Sequence, residues 1–338
     1  MTPQNLYLLA IESSCDDTAC AVLNHDQVLS NVVASQKIHK QYGGVVPELA
    51  SRAHQSNIIP VVDQALKDAG INKSQLSGIA FTRGPGLMGS LLVGTSFAKS
   101  LSLALDIPLL DVHHMHGHIL AHFINDGNEN PPFPFLALTI SGGHTQIVQV
   151  NSPSDMVVLG TTQDDAVGEA FDKSGKILGL GYPAGPQIDR LAQQGNPSAF
   201  PFPIPKAPDL NYSFSGFKTA VLYFIQRETK KDPDFIEKNL ADICASIQYT
   251  LIKILFQKLE RAVTQTSITH VAIGGGVSAN SGIREQLSSY ESQGLTTYIP
   301  PFEYTTDNAA MIGIAGYFKY VATDFAGLEV TASPRIHM

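Results

Sequence analysis

The 338-residue chain is 43% hydrophobic, enough to build two packed domains with substantial cores. Acidic residues outnumber basic ones, 30 to 22, and the net charge of −8 has the wrong sign for a chain that grips nucleic acid unaided, because backbone binding relies on Lys and Arg neutralising phosphates. Three cysteines exclude a dense disulfide framework, and neither a basic-apolar leader nor a run of about 18 apolar residues is present, so a cytoplasmic protein with no membrane association is expected.

Residues 6–12 form an apolar strand that ends in Glu12-Ser-Ser-Cys-Asp-Asp-Thr18, and residues 19–23 form a second strand. The turn between them is rich in hydroxyls and carboxylates, an inventory suited to a phosphate and its metal. Residues 46–68 read as an amphipathic helix with a kink expected at Pro60. A buried strand at 79–82 runs into the glycine-rich loop Arg83-Gly-Pro-Gly-Leu-Met-Gly89, which opens a helix to about residue 105. The strand at 108–112 then delivers the chain into a histidine-rich helix, and 126–134 (Asp-Gly-Asn-Glu-Asn-Pro-Pro-Phe-Pro) reads as a linker.

After that linker the opening pattern recurs: strand 135–140, the tight polar turn Ser141-Gly-Gly-His-Thr145 and a returning strand 146–150, about 128 residues downstream of the first. The layout suggests a structural duplication, with two unrelated hairpins as the alternative. Residues 168–181 are helical and lead into a turn at 181–186; 201–209 are proline-rich loop; a helix opens at Ser213-Phe-Ser-Gly-Phe-Lys-Thr219; and 235–263 form a long, mostly buried helix. Strand 269–273 runs into Gly274-Gly-Gly-Val-Ser-Ala-Asn280 and a helix whose first turn carries Asn280, a layout in which glycines permit close approach and a helix N-terminus attracts phosphate. A closing helix runs to about residue 321. Three such loops on successive strand ends of two related halves predict an α/β chain of the duplicated, two-lobe actin/Hsp70/sugar-kinase-like ATPase fold. The expected lobes are 1–112, joined by the C-terminal helix 309–338, and 113–308, with helical insertions and the histidine cluster.

Five of the eleven histidines fall in Asp111-Val-His-His-Met-His-Gly-His-Ile-Leu-Ala-His122. His114 and His118 are four apart, as are His118 and His122, so on a helix each pair stacks one turn above the other. Imidazole is the commonest transition-metal ligand, and a divalent metal clamp is the reading that five together favour over a solvated helix edge. A zinc peptidase would need a glutamate directly after the first ligand as general base; Met115 stands there, and a thioether takes no proton from bound water.

The chain resembles, over essentially its whole length, the bacterial Gcp/TsaD family of tRNA N6-adenosine threonylcarbamoyltransferases, formerly labelled glycoproteases. The residues that carry the resemblance are Ile11-Glu-Ser-Ser-Cys-Asp-Asp-Thr18, Gly43-Gly-Val-Val-Pro-Glu-Leu-Ala-Ser-Arg-Ala-His54, Thr82-Arg-Gly-Pro-Gly-Leu87, the histidine cluster, Ser141-Gly-Gly-His-Thr145, Phe171-Asp-Lys173, Ser213-Phe-Ser-Gly-Phe-Lys218, Gly275-Gly-Val-Ser-Ala-Asn280 and Thr306-Asp-Asn308. The resemblance implies one divalent metal, Fe2+ or Zn2+, on His114, His118 and Asp307. It implies nucleotide or adenylate contacts (ATP/ADP or threonylcarbamoyl-AMP) at Thr139, Ile140, Ser141, Gly142, Gly143, Asp172, Gly185, Asp189 and Asn280. Glu12 falls where the family needs a carboxylate near the transferred group, a catalytic assignment whose alternative is a buried capping glutamate; Arg83, His144 and Lys218 are candidates for phosphates or tRNA. Where the family often has Glu between the histidine ligands this chain has His116, and neither His113, His116 nor His122 has a family role.

The implied reaction transfers the threonylcarbamoyl group of L-threonylcarbamoyl-adenylate to N6 of adenosine 37 in tRNAs reading ANN codons, forming t6A and releasing AMP. The implied partners are that tRNA, a degenerate paralogue forming a heterodimer and a small ATPase. The rival classes are a metal-dependent ATPase or kinase of the same fold, which would not need the histidine clamp, and a nucleotide-binding scaffold, which would be expected to lack it.

Overall fold

The computed structural model describes residues 5–338. They divide into two compact units: one holds the described residues up to Pro131 with Ser152–Asp155 and Pro300–Met338, the other Pro132–Asn151 and Met156–Ile299.

In the first unit, β1 (Tyr7–Glu12) is an apolar strand buried along nearly its whole length. It pairs antiparallel with β2 (Asp17–Asn24), which pairs with β3 (Gln27–Ser35). The helix α1 (Pro47–Asp68) starts on a proline, whose missing N–H costs nothing in a first turn, and runs unbroken through the exposed Pro60. Next come β4 (Leu76–Gly84), parallel to β1, then α2 (Met88–Leu105) and β5 (Leu109–His113), parallel to β4, which gives the order β3-β2-β1-β4-β5. By length and apolar composition α2 could cross a membrane, but here the face bearing Leu91, Gly94, Thr95 and Ala98 packs on β4 and α1. The chain passes from β5 directly into α3 (His114–Leu120), the histidine helix.

The second unit repeats the plan. A hairpin of β6 (Phe135–Ile140) and β7 (Thr145–Ser152) continues into β8 (Asp155–Thr161), followed by the helices α4 (Val167–Ile177), α5 (Gly185–Ala192), α6 (Ser215–Thr229) and α7 (Phe235–Thr266). β9 (His270–Gly274), α8 (Ser281–Ser289) and β10 (Thr296–Tyr298) complete a sheet of order β10-β9-β6-β7-β8, with β9 parallel to both β6 and β10. Each sheet is thus a three-strand meander extended by two parallel strands from the side of its first strand. Four helices stand in the second unit where α1 alone stands in the first, and they bury a core of Phe171, Phe214, Phe217, Ile247 and Leu251. Two features depart from expectation: residues 181–186 run into α5 rather than forming only a turn, and three short or half-exposed strands (β3, β8, β10) join the sheets.

The chain returns to the first unit at Pro300 and forms α9 (Ala309–Val321), an apolar helix packed on β1, β2, β4 and α3. Close approach is its requirement: a Cβ on Gly316 would stand 2.5 Å from Ala80 Cβ on β4. A Cβ on Gly117 would stand 3.1 Å from Ile312 and 3.2 Å from Met311, and by its contacts the histidine helix groups with the first unit. The Nζ of Lys319 on α9 also reaches Asp111 Oδ1 on β5 at 2.6 Å. Replacing Gly316→Val is expected to lift α9 from the sheet and cost about 1–3 kcal/mol in urea-induced unfolding; an unchanged midpoint would refute this packing.

Candidate metal centre and nucleotide cradle

Three elements converge in the first unit. His114 opens α3, His118 follows one turn later, and Asp307 directly precedes Asn308, whose side chain caps α9 by accepting Met311 N–H at 3.0 Å. His114 Nε2 and His118 Nε2 lie 3.4 and 3.3 Å from Asp307 Oδ1, and one ligand atom from each of the three fits within 4.8 Å of the other two. Donors bound about 2.1 Å from one ion stand roughly 3–3.5 Å apart, so the two histidine–aspartate edges already have the size of a coordination polyhedron. The decisive observation is His118: its ring is buried, and its Nε2 faces only Asp307 Oδ1, without the geometry of a hydrogen bond. A buried nitrogen so poorly satisfied costs about 1–3 kcal/mol, and a metal ion between the imidazole and the carboxylate would offset that cost. The donor set, two imidazoles and a carboxylate with further positions open, suits a borderline divalent ion.

Behind this set sits Glu12, fully buried at the end of β1. Its Oε1 accepts the Ser14 N–H; its Oε2 accepts the Thr82 hydroxyl at 2.6 Å and faces His114 Nδ1 at 3.0 Å. Ser14 Oγ stands 3.3 Å from the same nitrogen. A carboxylate at Nδ1 holds the proton there and turns the Nε2 lone pair toward Asp307 and His118. Burial alone would raise the pKa of Glu12 and of Asp307, but the His114 charge and its hydrogen bonds hold both below the ordinary carboxylate range. Burial opposes charge on His114 as well, yet the two facing carboxylates raise it well above 6.5. His118 goes the other way, lowered chiefly by burial.

In the second unit the expected nucleotide residues gather at the ends of β6 and β9, which pair Thr139 with Gly274. The Ser141 side chain accepts the N–H groups of Gly143 and His144, and space stands open in front of Gly142, Gly143 and Gly276. The Ile140 side chain is committed to the core, so only its backbone is available to a ligand. Thr139 Oγ1 and Ser278 Oγ are buried without hydrogen-bond partners. Asp172 caps α5: its Oδ1 accepts Ala184 N–H at 2.7 Å and Gly185 N–H at 3.3 Å, while burial raises its pKa. Asp189 accepts from Gln248 Nε2, Ser281 Oγ and Ser281 N–H, and Asn280 caps α8 while its Nδ2 donates to Gln248 Oε1 at 2.7 Å. Gln248 therefore joins Asp189 to Asn280; a lone amide in the apolar period of α7 was the available signal for it. Of the basic candidates, Arg83 is held by Asp111 at 3.1 Å, Lys218 stands 4.0 Å from Asp165, and His144 is half-buried in the β6–β7 turn.

The family model for TsaD, tRNA N6-adenosine threonylcarbamoyltransferase, matches residues 27–314. Among curated relatives, the tRNA N6-adenosine threonylcarbamoyltransferase of Christiangramia forsetii is 68% identical over 337 residues, covering 99% of both chains. That of Cytophaga hutchinsonii is 59% identical over 332 residues, covering 98% of this chain and 96% of its own. The chain belongs to the tRNA N6-adenosine threonylcarbamoyltransferase family. Among solved structures, full-length HypF in its phosphate- and nucleotide-bound form matches with a TM-score of 0.63 at 13% identity, over 95% of this chain and 48% of that one. Component A of the (R)-2-hydroxyglutaryl-CoA dehydratase of Acidaminococcus fermentans matches with a TM-score of 0.54 at 15% identity, over 94% of this chain and 99% of that one. At such identities the likeness concerns the fold, and with the repeated sheet plan it gives the duplicated actin/Hsp70/sugar-kinase-like ATPase fold. Since Glu12 and Asp307 hold a proton on His114 above its ordinary pKa of 6.5, a bound ion must displace that proton. Affinity for Zn2+ is expected to rise with pH through neutrality, with proton release visible by calorimetry in two buffers of different ionisation heat; a pH-independent affinity would contradict the arrangement.

Proposed function

We propose that this chain transfers the threonylcarbamoyl group of L-threonylcarbamoyl-adenylate to N6 of adenosine 37 in tRNAs reading ANN codons. The new bond joins N6 to the carbamoyl carbon, the bond from that carbon to the phosphate oxygen breaks, and AMP leaves with the electron pair while N6 loses a proton. The observation that carries this reading is the joint presence of end-to-end similarity to the family and the set of His114, His118 and Asp307, whose ligand atoms lie within 4.8 Å of one another. A divalent ion, Fe2+ or Zn2+, bound by His114, His118 and Asp307 would supply a Lewis acid that polarises acyl or phosphate oxygens. The rest falls to the chain's own groups. Glu12 orients His114 rather than touching the transferred group, because both its oxygens are already engaged. The open glycine turns at 142–143 and 276, with the unpartnered Thr139 and Ser278 hydroxyls, offer backbone and side-chain contacts to the adenylate, or to ATP or ADP. Asp172 and Asn280 keep the helix N-termini of α5 and α8 in place around those turns, and Asp189 is tied in through Gln248 and Ser281.

The acidic balance supports a requirement for help in holding tRNA, which a degenerate paralogue and a small ATPase would provide in the cytoplasm. Peptidase chemistry finds no support: Met115, where the general base would stand, is buried. Kinase and scaffold readings share the fold but give no use for the histidine–aspartate set. The test is incorporation of labelled threonine and bicarbonate into unmodified ANN-decoding tRNA, with the adenylate-forming enzyme and both partner subunits present. Wild type is expected to form modified adenosine, and His114→Ala to lose at least about 100-fold, the equivalent of roughly 2.7 kcal/mol of transition-state stabilisation. Incorporation untouched by the substitution would reduce the metal set to a structural role, and none with wild type, in a system that works with a relative's subunit, would overturn the function.

A further inference from the structure

His113 has no place in the reaction just described, yet it stands between the sheet and the metal helix. It is the last residue of β5 and the N-cap of α3: its Nδ1 accepts the Met115 N–H at 3.2 Å. An imidazole nitrogen that accepts carries no proton, so in the neutral ring the proton is on Nε2. That nitrogen faces the Ile336 carbonyl at 3.4 Å, and a carbonyl can only accept, so this contact selects the tautomer that caps.

The carbonyl comes from a strap with no regular secondary structure, residues 330–336, which is tied down along its length. Lys99 Nζ donates to Val330 O at 2.7 Å, Arg83 Nε to Thr331 O at 3.2 Å, Ser333 N–H to Arg83 O at 2.8 Å and Gly86 N–H to Pro334 O at 3.3 Å. The strap lies so close over Gly84 that a Cβ there would overlap Ser333 O. The loop it presses on is also joined to the turn behind the metal set, since Leu87 N–H donates to Ser14 O at 2.7 Å.

The two ligands on α3 are held differently. The His114 ring is fixed by Glu12 and Ser14. His118 has only the 3.3 Å contact of its Nε2 with Asp307, so its placement depends chiefly on packing and on the geometry of a seven-residue helix, which is marginal without a cap. We infer that His113 is a positioning residue for the metal pair, capping the histidine helix while the strap at 330–336 holds its ring in the capping orientation.

This inference rests on His114, His118 and Asp307 being metal ligands, and the test separates the two. The full-length chain is titrated with Co2+, following its visible ligand-field absorption, alongside thermal unfolding of the same samples. His113→Ala is expected to weaken cobalt binding about 10- to 100-fold, the range for removing a group that orients a ligand. His113→Asn, whose side chain also caps, is expected to stay within about threefold of wild type. Gly84→Ala, which displaces the strap at the position paired with His113 across β4 and β5, is expected to weaken binding as well. Wild-type affinity in His113→Ala, or a loss in His113→Asn as large as in His113→Ala, overturns the capping role. Wild-type affinity in Gly84→Ala removes the strap from it. A wild-type chain that takes up no cobalt overturns the metal reading instead.

Discussion

The constraint on which the first unit depends is a pair of carboxylates, Glu12 and Asp307, brought to opposite nitrogens of one buried imidazole. Glu12 is withdrawn from water altogether and Asp307 in part, and a carboxylate so placed carries a desolvation penalty offset only by partners of good geometry. His114 supplies one, and Thr82 and the Ser14 backbone supply the rest on the Glu12 side. On the Asp307 side the partners are two histidines alone, which leaves that carboxylate with capacity for an ion. The architecture follows from this requirement. β1 must end where β5 passes into α3, and α9 must begin where α3 can reach its first residue. The glycines at α9 and α3 allow those helices to sit close enough.

One sheet plan carries two differently furnished turns because the variable parts lie outside the sheet. In both units the first hairpin turns at the end of a buried, mostly apolar strand, and a parallel neighbour ends beside it. In the first unit that turn is filled by side chains from within the unit: Glu12, Ser14 and His54, the last bonded to Thr18 Oγ1 at 2.8 Å and to Cys15 O at 3.0 Å. In the second it is a glycine turn with open space in front of Gly142 and Gly143, closed on itself by the Ser141 hydroxyl, which accepts the Gly143 and His144 N–H groups. A turn packed with side chains holds its residues in place, whereas a glycine turn leaves room for a group to approach its backbone. The duplication is therefore of framework, with the two turns furnished differently.

How much of this was legible in the sequence depends on the range over which each feature is determined. The His114–His118 pair is local, set by a four-residue spacing on a helix, and the apolar strands β1 and β6 with their polar turns are equally local. Asp307 is not: nothing in its neighbourhood marks it as a ligand, and it came only through the resemblance to a family. β3, β8 and β10 escaped because half-exposed or three-residue strands carry weak periodicity and are specified by the strands they pair with. The start of α5 at Gly185 escaped because glycines and prolines there read as a turn, while the carboxylate that caps it, Asp172, comes from another helix. The contacts of the histidine helix are equally non-local, since its partner α9 arrives after the whole of the second unit has been traversed. For Glu12 the sequence offered a catalytic and a capping reading, and a choice between them requires knowing what faces each of its oxygens.

Satisfaction of polar groups supplies the last discrimination. The network of Asp189, Gln248, Asn280 and Ser281 is closed on itself, with donors and acceptors matched; such a network makes a rigid scaffold and has little left to offer a ligand without rearranging. Thr139 and Ser278 differ: their hydroxyls are buried without hydrogen-bond partners, as is the Nδ1 of His118 in the first unit. Each such atom lowers the stability of the fold by about 1–3 kcal/mol unless something binds it. Asn31, Thr95 and Ser174 share that state away from either turn, so an unsatisfied atom marks a capacity to bind and becomes an argument for a site only beside an open turn or a second donor, as at Thr139 and His118.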